Sequence, residues 1–201
     1  MLLDAIRNGN ADEVRRLLEQ DPALRETHTE YGASAVLWAC YTRHPELAPL
    51  LLGGREPDFY EACALGRADL LGEGAPVNQP APDGFTALGL ACFFRHAEAA
   101  RRLLDLGADP SLPAANALKF APLHSAVAAG SYEIVDLLLA RGADPNPRDA
   151  QNNTPLHSAA GHGDPRITAR LLAAGADKTA RNSDGLTPPD TAEQYGKPAP
   201  W

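Results

Sequence analysis

Isoleucine occurs only three times in this 201-residue chain (Ile6, Ile134, Ile167), methionine once and tryptophan twice, and aromatic residues make up 6%. So few β-branched and aromatic side chains argue against a sheet, which favours both types. Long apolar runs are missing too: no segment approaches the roughly 18 residues of a membrane span. The opening Met1-Leu2-Leu3-Asp4-Ala5-Ile6-Arg7 has no basic region followed by an apolar one, so the reading predicts no secretion by signal peptide. Three cysteines without a CxxC pair argue against a disulfide framework and fit a reducing cytoplasm. Positive charge is in deficit as well. Eighteen Lys and Arg against 26 Asp and Glu give a net charge of −8, which disfavours nucleic-acid binding through a general basic surface.

What the chain does contain is alanine and leucine, 37 and 28 of them. With 44% apolar residues a sizeable core is available. The mixture suits close-packed helices, and 18 Pro with 17 Gly require those helices to be short and often interrupted. Charge is uneven: residues 1–110 carry 17 acids and 10 bases, residues 111–201 carry 9 and 8. An acidic N-terminal half favours a basic partner; acidity of this size equally keeps a protein soluble.

Self-similarity organises the rest. Residues 119–144 (KFAPLHSAVAAGSYEIVDLLLARGAD) align without a gap on residues 152–177 (NNTPLHSAAGHGDPRITARLLAAGAD), 33 positions later. One further period gives Asp184-Gly185-Leu186-Thr187-Pro188, and 35 residues back lies Asp83-Gly84-Phe85-Thr86-Ala87-Leu88. Thr154 is placed to cap a helix whose first residue is Pro155, where a missing N–H costs nothing. Gly163 ends that helix, Ile167, Leu171 and Leu172 form the apolar stripe of a second, and Asp184-Gly185 makes a tight turn.

This pattern resembles the ankyrin repeat, whose signature runs G-x-T-P-L-H-x-A-A, a short turn, a second helix ending in L-L, then G-A-D-x-N. The resemblance covers essentially the whole chain and is strongest over residues 84–185. It implies an all-α solenoid of helix-turn-helix units with β-hairpin-type loops. Units are read over 1–31, 32–56, 57–83, 84–118, 119–151 and 152–184, with a partial C-terminal cap over 185–201, all in one domain. Two irregularities stand out. From Ala39 to the matching Ala62 is 23 residues, so one hairpin finger is missing and Gly53-Gly54-Arg55-Glu56-Pro57 replaces it. Gly66 to Gly74 is four residues shorter than Gly130 to Gly142, about one turn, which predicts a shortened helix with its face preserved. The insertion at 116–120 should lengthen a finger. Compact chains of this kind look like bacterial ankyrin-repeat proteins.

Little in the sequence points to chemistry. His124 and His157 close A/T-P-L-H tetrapeptides, where the resemblance implies that the imidazole ties neighbouring repeats together. His157 and His162 are five apart, not on one helical face, and no Cys/His spacing completes a zinc site. Cys40, Cys63 and Cys92 fall at equivalent small positions and read as packing residues. No nucleophile elbow or phosphate loop is present, and neither cofactor nor metal is expected.

The resemblance places two residues after each small pair, and one finger residue, on the concave binding surface. Bulky groups concentrate there on the second to fourth units: Tyr41, Leu65, Phe85, Phe93 and Phe94. Such patches mark binding surfaces; one Phe of the pair tucking beneath its own finger is the competing reading. Trp38 reads as core. The expectation is a cytoplasmic, monomeric, non-catalytic scaffold that binds another protein through this groove. The alternative is an enzyme or small-molecule binder with a pocket between the irregular second and third repeats, where Arg43, His44, Arg55 and Glu56 lie. Where Gly9, Gly66, Gly130 and Gly163 end first helices, Arg43 and Arg95 stand instead, so two strained left-handed turns are expected.

Overall fold

A computed structural model describes residues 1–197; the last four residues of the expected C-terminal cap lie outside the described residues. Over that span the chain forms twelve α-helices and no strand, consistent with the expected helical solenoid. Six helices open repeating units: α1 (Leu2–Arg7), α3 (Ala35–Tyr41), α5 (Phe59–Leu65), α6 (Ala87–Phe93), α8 (Pro122–Ala128) and α10 (Pro155–His162). Their partners are α2 (Ala11–Gln20), α4 (Ala48–Leu52), α7 (Ala97–Asp105), α9 (Tyr132–Ala140) and α11 (Pro165–Ala173), and α12 (Pro188–Gln194) ends the array. The opening helices stack on one another in chain order from α1 to α12, and the partner helices form a second layer.

Local sequence sets these starts. The backbone N–H groups of Leu37, Glu61 and Gly89 donate to the side chains of Ser34, Asp58 and Thr86, satisfying amides that the first turn leaves orphaned. Proline begins α8, α10, α11 and α12. Thr154 occupies the expected cap position of α10, but its hydroxyl lies 2.9 Å from His157 Nδ1 and makes no bond to a backbone amide.

The third unit corrects the expected shortened α-helix. Its second element is a single 3-10 turn, Ala68–Leu70, and only Leu71 behind it is buried. With Gly72 and Gly74 following at once, too few residues remain to close an α-helical turn. Arg102 bridges the deficit from α7, its Nε donating to the Leu71 carbonyl at 2.9 Å. In the second layer α4 scarcely touches this turn.

Two apolar clusters result. One gathers Leu2, Ile6, Val14, Leu18, Val36 and Leu51; the other runs from Leu37 and Cys40 through Leu90, Leu103 and Leu138 to Leu171. Helix α3 faces both. Each fully buried Leu or Ile contributes about 1.5–3 kcal/mol, so the larger cluster dominates stability.

Histidines stitch the units, as the resemblance implied. His124 Nε2 meets the Asn153 carbonyl of the next finger at 3.0 Å, and His157 Nε2 meets that of Leu186 at 3.0 Å. A carbonyl accepts only, so Nε2 carries the proton and Nδ1 accepts from the Ala121 or Thr154 amide. Burial holds both imidazoles below their ordinary pKa, against the raising effect of those carbonyl bonds.

Candidate functional site

The fingers build one wall of the groove. Each is a small hairpin closed by one backbone bond, such as Thr29 N–H to Ala33 O at 2.8 Å and Ala81 N–H to Phe85 O at 2.8 Å. The next closes by Ala114 N–H to Phe120 O at 2.8 Å, and its loop carries the residues of the expected lengthened finger. Adjacent fingertips are joined in turn: Ala115 N–H donates to Gly84 O, Ala150 N–H to Leu118 O and Ser183 N–H to Gln151 O, at 2.7–3.1 Å.

That ladder breaks once. With one finger missing, the hairpin at 28–34 lies directly against the one at 80–86. Gly32 approaches the Pro82 carbonyl so closely that a Cβ would collide with it, and its φ of +91° favours glycine independently. Gly84 meets Ala115 and Asn116 in the same way. The residue corresponding to the donors Ala115, Ala150 and Ser183 is Pro82, which has no N–H to give.

The other wall is helical. Tyr41 on α3 packs against Phe85, Phe93 and Phe94, with ring centroids 6.0, 6.3 and 5.4 Å away, and Phe93 meets Phe94 edge-on at 5.2 Å. These separations and tilts are those of favourable aromatic pairs. The Tyr41 hydroxyl donates to Asp83 Oδ2 at 2.8 Å, tying α3 to a finger 42 residues away. Burial, followed by the Asp83 charge and that bond, pushes the phenol above its ordinary range, so it stays protonated. A concavity of about 720 Å³ opens here, lined by Tyr31, Trp38, Tyr41, Phe85, Phe93 and Phe120 among others.

The expected site residues divide. Tyr41, Phe85 and Phe93 line the concavity, and Phe93 is 40% exposed. Phe94 is half-buried behind Phe93, against the larger cluster. Leu65 packs on both apolar clusters at their seam and is not among the residues lining the concavity. Trp38, expected in the core, is half-buried, donates its indole N–H to the Leu3 carbonyl at 2.9 Å and lines the groove. Sequence reasoning missed Tyr31, Leu118 and Phe120. Phe120 occupies the same closing position as Phe85, and the longer finger concealed that register.

At the missing finger stands an ion pair. Arg55 donates from both terminal nitrogens to Glu61, at 2.7 and 2.9 Å, while the Ser34 hydroxyl and the Asp58 amide donate at 2.8 and 3.0 Å. Glu61 is fully buried. Burial alone raises its pKa, but the Arg55, Asp58 and Ser34 bonds outweigh it and hold the carboxyl below the ordinary range. His44 is engaged by Glu46 at 2.9 Å, and Glu56 faces Arg67 at 4.0 Å. The three thiols are buried; burial first, then the Glu61 and Asp58 charges, pushes Cys40 and Cys63 up to about 12, and burial alone raises Cys92.

A family profile described as "Ankyrin repeats (3 copies)" matches residues 59–149 and 123–198, more than half of the sequence. The chain belongs to the ankyrin-repeat family. Ankyrin repeats are protein–protein interaction modules, and the family is typically non-enzymatic. Over 103 residues the chain is 35% identical to Neurogenic locus notch homolog protein 1 of Xenopus tropicalis, covering 50% of this chain and 4% of that one. It is 38% identical over 92 residues to Ankyrin repeat and SOCS box protein 16 of Mus musculus, covering 42% and 20%. A third match is Ankyrin repeat and KH domain-containing protein 1 of Homo sapiens, 37% identical over 97 residues, covering 46% and 4%. The chain therefore spans a small part of these relatives' length. They are eukaryotic, and the expected bacterial likeness draws no support from them.

Proposed function

We propose that this chain is a non-catalytic scaffold that binds a partner protein through its concave groove. One observation carries the reading: aromatic side chains from α3, α6 and three fingers meet along one concave surface, and Tyr31 and Phe93 keep 76% and 40% of their area exposed. Folding alone does not require large apolar groups to remain in water, and aromatic anchors dominate binding hot spots. A monomeric, cytoplasmic setting belongs to the same proposal, and three buried cysteines without a disulfide support its cytoplasmic part. Among the described residues, no helix is long and apolar enough to cross a membrane. The alternative, an enzyme or small-molecule binder with a pocket between the second and third repeats, draws little support, because Arg55, His44 and Glu56 there already pair with Glu61, Glu46 and Arg67.

The test is capture from the native cell with cross-linking, comparing the wild type with a Tyr31→Ser, Phe93→Ser, Leu118→Ser variant. All three side chains are at least 40% exposed, so the melting temperature should move by only a few degrees while the partner is lost. Capture retained by the folded variant would move the interface to the convex face and defeat the proposal. Tyr41 and Phe94 make poorer probes, because both pack against the larger cluster and truncating an interior Phe costs about 3–5 kcal/mol.

A further inference from the structure

We propose that the occupant of this groove is an amphipathic α-helix of the partner, apolar on the face it presents and basic along its flanks. The inference rests on the groove reading above and names the class of partner.

The first ground is hydrogen bonding. Polar atoms around the concavity are already engaged: the Trp38 indole with Leu3 O, the Tyr41 hydroxyl with Asp83, and the Asn116 amide with Asp83 O at 3.2 Å. Thr29 Oγ1 accepts from the Ala33 amide at 3.0 Å, and except across the Gly32–Pro82 junction the fingertips are bonded to one another. Among the described residues no strand edge lines the cleft; its fingers hold only isolated bridges, His28 with Ser34 and Pro80 with Thr86. An extended segment laid there would bury its own N–H and C=O groups without partners, at about 1–3 kcal/mol for each unsatisfied group. A polar metabolite meets the same obstacle. A helix satisfies its backbone internally and brings only side chains to the contact.

The second ground is size. The groove runs along three successive fingers, at 28–34, 80–86 and 114–120, two repeat spacings at about 8–10 Å each. At about 1.5 Å per residue, that span of roughly 18 Å is three turns of helix. Apolar residues at i, i+3 or i+4 and i+7 would then meet the rings in succession.

The third ground is charge. Asp83 is the charged residue lining the cleft, Glu30 stands exposed beside Tyr31, and Lys119 on the third finger is the exposed base next to the lining, within an N-terminal half that carries 17 acids against 10 bases over residues 1–110. Complementary potential favours a basic flank on the incoming helix.

The experiment uses the full chain and two displayed sets of 14-residue peptides. One set is patterned as amphipathic helices with either Lys/Arg or Asp/Glu flanks; the other alternates apolar and polar residues and carries a central Pro. Selection should enrich basic-flanked helical peptides. Their binding should fall at least tenfold with Phe93→Ser, Leu118→Ser, and at least tenfold when a central peptide Leu becomes Pro. If the double variant melts early, Phe93→Ala alone supplies the comparison. Enrichment of the extended set, still sensitive to Phe93, overturns the helix while leaving the groove in place. Helical peptides insensitive to Phe93 and Leu118 overturn the groove as well, preference for acidic flanks overturns the charge argument, and failure of both sets to enrich overturns the whole proposal.

Discussion

Arg55→Met should reveal what closes the gap left by the missing finger. The change removes the guanidinium but keeps an apolar stem, leaving the Glu61 carboxylate with the Ser34 hydroxyl and the Asp58 amide as donors. Deleting one member of a fully buried pair costs about 3–5 kcal/mol. The Arg55 side chain is 37% exposed, so solvent already screens part of its charge and the expected loss is nearer 2 kcal/mol. For a domain of this length that corresponds to roughly 4–8 °C in melting temperature, readable by calorimetry. The pH dependence supplies a second reading. Glu61 has a folded pKa held below its unfolded value of about 4.3. Its contribution is therefore fully present above that value and is lost as pH falls through the folded pKa. Glu61→Gln should lower stability near neutrality, by about 2 kcal/mol, and flatten the acid limb below about pH 4.3. An Arg55→Met protein that melts with the wild type would refute the reasoning, since Ser34 and Asp58 would then suffice.

The left-handed turns offer a gain. Arg43 and Arg95 adopt φ of +67° and +65°, in the left-handed region that favours glycine. Replacing each by Gly should raise the melting temperature by roughly 2–4 °C, the strain being about 1 kcal/mol; no rise would mean that these turns carry no such strain. With their pKa values raised, the thiols of Cys40, Cys63 and Cys92 should resist iodoacetamide at pH 8 in the folded protein and react fully in guanidinium. Rapid labelling of the native state would contradict their placement. Pro82→Ala restores a donor opposite Gly32, so amide exchange across residues 28–34 should slow severalfold; an unchanged rate would show that the missing N–H does not limit this finger.

Repeat period and helix punctuation were readable in the residues because each has a local cause. Thr86, Pro155 and Gly163 act within a turn of where they stand, and Arg43 betrayed its geometry by occupying a glycine position. What escaped depends on neighbours. Four deleted residues looked like one lost helical turn, yet Gly72 and Gly74 left only a 3-10 turn. Tyr41 and Phe93 line the concavity, while Leu65, at an equivalent repeat position, turns to the seam between the clusters. Tyr31 joined the site only because a finger is absent and two distant hairpins touch.

In a linear array, stability passes only between neighbours, and such chains open in contiguous blocks. The junction between the second and third units, where a finger and a full second helix are missing, is the weak joint of this one. Across it run α3 against α5, the Arg55–Glu61–Ser34 bonds and the Tyr41–Asp83 bond. The groove straddles the same joint, with Tyr31 and Trp38 on one side and Phe85, Phe93 and Phe120 on the other. Anything seated there is a rivet as well as a ligand. It suppresses detachment of the N-terminal block by RT ln(1 + [L]/Kd), about 2.7 kcal/mol at a hundredfold excess over Kd. Fraying of residues 1–56 and occupancy of the cleft are therefore one equilibrium seen from two ends.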